Sequence, residues 1–151
     1  MRVRGLGCSG SFPGPDSPAS SYLLETAWPD GQGDGVFRIV LDLGNGSLGA
    51  LQRYADLCAI DAVALSHLHP DHCADLCSYY VVRKYHPDGH WPRIPVYGPY
   101  STADRLAAAY GLPIEPGMRE EFDFRSWVVG QPIRLGPYRV TTAVVNHPVS
   151  A

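Results

Sequence analysis

Long apolar runs are missing from this 151-residue sequence; none approaches the roughly 20 residues that span a bilayer, so no membrane-spanning helix is expected. The start, Met1-Arg2-Val3-Arg4-Gly5-Leu6-Gly7, lacks the apolar core of a signal peptide, which makes the cytoplasm the expected location. Lysine is almost absent. Of the 12 basic residues only Lys84 is lysine, and arginine favours planar phosphate contacts. Positive charge is also in deficit, because 15 acidic residues leave a formal charge of −3, which argues against a broad nucleic-acid surface. Cysteine is sparse. Cys8, Cys58, Cys73 and Cys77 are spaced neither as a disulfide framework nor as a Cys-x-x-Cys site, and Cys73 and Cys77 read as small buried hydrophobes one helical turn apart. No internal repeat, linker or low-complexity tract appears. What remains is 45% hydrophobic and 18% charged, the composition of one folded globular domain with its own core.

Along the chain strands lead and helices are interspersed. Residues 2–6 read as a strand, followed by a loop rich in Gly, Ser and Pro. Residues 20–27 and 36–42 read as a hairpin joined by the turn residues of 28–35. Ser47 is placed to cap a helix through residue 56. Residues 62–65 form a short apolar strand, 70–85 a helix opened by Pro70, 94–97 a strand, and 101–110 a helix ended by Gly111 and Pro113. Strands at 132–135 and 138–145 complete the series around Gly136-Pro137. The order predicts an α/β fold: a mixed sheet with helices on one face.

The chemistry concentrates in Ser66-His67-Leu68-His69-Pro70-Asp71-His72. H-x-H-x-D-H spacing suits two adjacent divalent cations better than one. If the chain stays extended past Leu65, His67 and His69 point the same way and can share an ion through ring nitrogens about 2.0–2.1 Å from it. The turn into the helix at Pro70 re-aims Asp71 and His72 toward a second ion. His147 follows an apolar strand and precedes Pro148, so it is the candidate third ligand beside His67 and His69. A polar loop with packing histidines is the competing reading; three histidines and an aspartate within six residues, straight after an apolar strand, disfavour it.

Two other patterns mislead. Gly5-x-Gly7-x-x-Gly10 matches a dinucleotide fingerprint, but the Pro13-Gly14-Pro15 that follows cannot open the helix that this fingerprint needs. Asp30-x-Gln32-x-Asp34-Gly35 starts like a calcium loop, yet Leu41 stands where the bidentate Glu belongs, so it reads as a hairpin turn. His86 and His90 are separated by Pro87 and Gly89 and read as loop histidines.

His67-Leu68-His69-Pro70-Asp71-His72 resembles the signature of the metallo-β-lactamase superfamily. Asp42-Leu43-Gly44-Asn45-Gly46 and Asn146-His147-Pro148 resemble its flanking motifs. The opening Leu6-Gly7-Cys8-Ser9-Gly10-Ser11, with Ser20-Ser21-Tyr22-Leu23-Leu24, is similar to the ribonuclease Z-like branch. Residues 14–20 and Gly49-Ala50-Leu51-Gln52-Arg53 resemble actinobacterial members related to atypical cyclic-nucleotide phosphodiesterases. The resemblance implies an αβ/βα sandwich of two halves, with His67, His69 and His147 on one metal and Asp71 and His72 on the other. It also implies a bridging aspartate and a final histidine from a second half, so residues 1–151 are expected to be the N-terminal half of the domain, with apolar surface left for the other half or for a homodimer partner.

The implied activity is a phosphodiesterase using a water activated by two divalent metals, zinc foremost and manganese next, with Asp71 as the catalytic carboxylate. The acidic balance and Asp16 in the first loop favour a small cyclic nucleotide as substrate. The alternatives are a tRNA 3′-processing endonuclease of the ribonuclease Z kind, acting on an RNA 3′ end, and a non-catalytic metal-binding fragment.

Overall fold

In the computed structural model, residues 1–29 and 35–147 are described, so the tip of the first hairpin and Pro148 lie outside the described residues. Six strands form one sheet in sequence order: β1 (Arg2–Gly7), β2 (Ser21–Ala27), β3 (Val36–Leu41), β4 (Ala62–Ala64), β5 (Ile94–Gly98) and β6 (Phe122–Ser126). β1, β2 and β3 pair antiparallel, and β3 through β6 pair parallel. The parallel half needs crossovers, which the helical segments α1 (Ser47–Leu51), α2 (Pro70–Cys73), α3 (Asp75–Lys84) and α4 (Thr102–Tyr110) supply. A separate hairpin, β7 (Ile133–Leu135) with β8 (Tyr138–Val140), follows.

Alternation along the strands sorts the core into two layers. Leu23, Val40, Val63 and Val96 face the helices and pack with Leu48, Leu51, Leu76, Tyr79 and Leu106. Their neighbours Ile39, Ala62, Ala64 and Tyr97 face the other way, onto Leu135, Ile133 and Tyr138 of the small hairpin. Both faces of β4 are therefore covered, which is why residues 62–65 carry no polar side chain. On β1 and β2, Val3 and Tyr22 stay exposed at 56% and 40%.

Four expectations about elements need correction. The helix from Ser47 stops at Leu51, because Arg53 and Tyr54 bond back only three residues in a tightened turn, and Asp56 then caps a 3-10 turn over Leu57–Ala59. Gly46 is its N-cap, and the Ser47 hydroxyl donates to the Gly44 carbonyl instead. The helix over 70–85 is divided at Ala74, since the Asp75 N–H leaves the helical ladder for the Leu43 carbonyl. The last strand ends at Val140, with residues 141–147 irregular. β6 was not anticipated at all. The glycine fingerprint after β1 opens no helix, as expected.

Candidate metal centre

β4 ends at the site. Leu65 donates its N–H to the Tyr97 carbonyl, and its own carbonyl accepts from the Trp127 indole N–H at 2.8 Å. Beyond Leu65 the chain leaves the sheet, and His69 remains extended (φ −70°, ψ 145°) as the residue before Pro70 at the helix start. Asp42 just follows β3 and Ser126 ends β6 at the same end of the parallel strands, so the site lies at their carboxyl ends, where open α/β sheets place their ligands.

The loop after β3 is sewn to the motif helix. The Leu43 N–H donates to the His72 carbonyl at 2.7 Å, and the Leu43 carbonyl takes the Asp75 N–H at 3.0 Å. The Asp75 carboxylate in turn accepts the Leu48 N–H at the start of α1. Gly44 packs so closely against Asp71 that a Cβ there would overlap the Asp71 carbonyl oxygen. This contact requires glycine at position 44.

These restraints gather the histidines. One ring nitrogen from each of His67, His69 and His147 lies within 4.8 Å of the others, and His67 Nε2 is 3.2 Å from His69 Nδ1. Two nitrogens on one tetrahedral zinc stand roughly 3.3–3.4 Å apart, given bonds of about 2.0–2.1 Å, so the donor set fits a zinc-sized cation. Burial pushes the His67 imidazole below its usual range, and the neighbouring His72, His147 and His69 add to that against the pull of Asp42. A neutral ring is the form that ligates. Asp71 and His72 lie alongside, with His72 Nε2 3.3 Å from Asp71 Oδ2 and the His72 ring 4.0 Å from that of His67.

All five expected residues are therefore neighbours. His147 arrives from an irregular segment, not from a strand end as the sequence suggested. The His86 ring packs at a tilt against Trp91 with centroids 4.3 Å apart, and neither it nor His90 joins the histidine group. Sequence reasoning passed over two contributors. Asp42 accepts from the Ser66 N–H and hydroxyl and stands 2.7 Å from His72 Nδ1, yet only its place before Leu43-Gly44 had drawn notice. Trp127 was missed together with β6.

A family model for the beta-lactamase superfamily domain matches residues 37–150. An uncharacterized protein of Mycobacterium leprae is 46% identical over all of this chain and 51% of its own length, and one of Mycobacterium tuberculosis is 42% identical over 53% of its length. The chain thus spans about half the length of these relatives. Among solved structures, the metallo-beta-lactamase fold protein YhfI from Bacillus subtilis superposes on 98% of this chain and 55% of that one, with a TM-score of 0.77 at 26% identity. Human tRNase Z, short form, shares the fold over 83% of this chain and 44% of that one, with a TM-score of 0.58 at 21% identity. With its histidines gathered at the sheet edge and its sequence matched over most of its length, the chain belongs to the beta-lactamase superfamily and has the metallo-β-lactamase fold.

Proposed function

We propose that the chain is the N-terminal half of a metal-dependent phosphodiesterase, with His67, His69 and His147 holding one divalent ion and Asp71 with His72 contributing to a second. The observation that carries this reading is the convergence of the three ring nitrogens within 4.8 Å beside the Asp71–His72 pair. Zinc suits the histidine-rich set best, and manganese is the next candidate. Two such ions would neutralise a phosphoryl group and activate water against it. Asp71 is placed to orient that water, but a carboxylate engaged with metal is a weak base, so the leaving group takes its proton from another residue. A bridging carboxylate and one more histidine would complete the second position from the rest of the protein. The relatives' greater length supports this.

A small cyclic nucleotide is the preferred substrate, on the formal charge of −3 and the acidic Asp16 in the loop after β1. An RNA surface depends on many phosphate contacts to basic residues. The second reading, tRNA 3′ processing, has the fold likeness to tRNase Z in its favour. A cytoplasmic location suits either substrate and agrees with four free cysteines. Among the described residues no helix is long and apolar enough to cross a membrane. The complete protein, assayed with zinc or manganese, should hydrolyse cyclic AMP faster than it cleaves a tRNA precursor. The reverse preference would favour the second reading, and turnover of neither would remove the phosphodiesterase proposal.

A further inference from the structure

Asp42 directly follows β3 with φ at 54°, a left-handed backbone uncommon outside glycine, and its side chain is turned into the site. Its Oδ1 accepts from the Ser66 N–H at 2.7 Å, and its Oδ2 accepts from the Ser66 hydroxyl at 2.8 Å. His72 Nδ1 meets the same Oδ2 at 2.7 Å. An ionised carboxylate only accepts, so the proton in that contact belongs to His72 Nδ1, and the neutral ring keeps Nε2 bare.

Ser66 extends the same logic to a second ring. Its Oγ lies 3.0 Å from His67 Nδ1. A hydroxyl has one proton, and Ser66 gives it to Asp42; the opposite assignment would set an oxygen lone pair against the carboxylate. Ser66 must then accept from His67 Nδ1–H. That leaves His67 Nε2 bare on the side where it faces His69 Nδ1 at 3.2 Å.

We infer that Asp42 and Ser66 form one tautomer lock serving both halves of the metal centre, with His72 set directly by the carboxylate and His67 set through the Ser66 hydroxyl. Both are positioning residues. The lock explains why a hydroxyl residue precedes His67 and why an aspartate in the left-handed region directly follows β3. The inference rests on the metal reading above and not on the choice of substrate.

The test uses the complete gene product, stripped of metal and carrying isotope-labelled histidine, with ring tautomers read from long-range proton–nitrogen correlation spectra. In the wild type, His67 and His72 should both hold the proton on Nδ1. In Asp42→Asn the amide oxygen stays on the Ser66 N–H, which can only donate, so the NH2 takes the place of Oδ2 and meets the Ser66 hydroxyl and His72 Nδ1; both rings should then lose the fixed Nδ1–H form. Zinc affinity by chelator competition should fall roughly ten- to a hundred-fold, as for other outer partners of ligating histidines. Ser66→Ala should release His67 alone and weaken zinc less, since Ser66 is exposed to water, and Ser66→Thr should restore both readings. Unchanged tautomers in Ser66→Ala, or in a folded Asp42→Asn, would overturn the lock. A wild type that binds no zinc would instead remove the metal reading. If Asp42→Asn fails to fold, Ser66→Ala decides, because it keeps the backbone N–H to Asp42.

Discussion

The stretch carrying His67 to His72 and the stretch carrying His147 meet at one place but are held in different ways. The first leaves a central strand, has its carbonyl at Leu65 fixed by Trp127, and exchanges backbone hydrogen bonds with Leu43 on both sides of Ala74. His67 is only 6% exposed. The second runs irregularly from residue 141 to 147; the Thr142 carbonyl accepts from the Gly130 N–H, and Val144, Val145 and His147 are exposed. Four of the five proposed donors therefore sit on a well-anchored scaffold, whereas the fifth is delivered by a less restrained segment. A preorganised ligand set loses little freedom on binding, so the fixed group should dominate affinity.

Removing one ligand from each region gives the largest expected effects and can break this comparison. His69→Ala should abolish tight metal binding, measured as metal per chain after gel filtration with a chelator. His147→Ala should weaken the affinity but leave the stoichiometry intact at saturating metal. Equal losses would mean that the late segment is as fixed as the motif. The 151-residue chain by itself should retain at most about one tight metal, since among the described residues only Asp71 and His72 are proposed for the second position. Two tightly held ions per monomer would show that the position needs nothing further.

The same contrast governs what could be read in advance. The closeness of His67, His69, Asp71 and His72 was legible because strand, tight loop and helix start place them by local spacing, and His147 was named as their proposed companion because it follows an apolar run and precedes a proline. The role of Asp42 was not legible, since its bonds to Ser66 and His72 span 24 and 30 residues. The apolar-polar alternation of Phe122-Asp123-Phe124-Arg125-Ser126 was a signal for β6, but charged residues on a short edge strand weaken it. The division of the motif helix at Ala74 arises from Leu43, a tertiary partner that no helical periodicity records. Residues 141–145 look like a strand by composition; nothing among the described residues pairs with them in a sheet.

Two glycines sharpen the comparison at smaller scale. Gly44 lies where the Asp42 loop touches the motif helix, and a methyl group there must displace the Asp71 carbonyl. Gly44→Ala should cost about 1–3 kcal/mol in denaturant unfolding, the usual range for overpacking, and should also weaken metal binding by moving Asp71. Gly49 is exposed inside α1, and a methyl group there meets nothing within 4 Å. Gly49→Ala should stabilise by about 0.5–1 kcal/mol with metal affinity unchanged. If Gly44→Ala were as well tolerated as Gly49→Ala, the close seam between loop and motif would be wrong.

The last contrast is confined to alkaline pH and comes from the thiol beneath the motif. Cys73 is buried, and its Sγ–H donates to the His69 carbonyl at 3.3 Å. Burial pushes the thiol up from an ordinary 9.0 to about 11, with Cys77 beside it adding to the shift. Below pH 9 the thiol is protonated in both folded and unfolded chains, so its contribution to stability is fully present. Between about pH 9 and 11 the unfolded thiol ionises while the folded one does not, so stability falls as pH rises through that window. Cys73→Ala should flatten part of this alkaline decline, although Tyr79, held up at about 12, continues to contribute to it. The exposed Cys8 and Cys58 should react with a thiol reagent at neutral pH well before Cys73 and Cys77. Rapid labelling of Cys73 in the folded protein would mean that the motif helix opens readily, and the contrast between a fixed motif and a late-arriving His147 would fail at its best-anchored point.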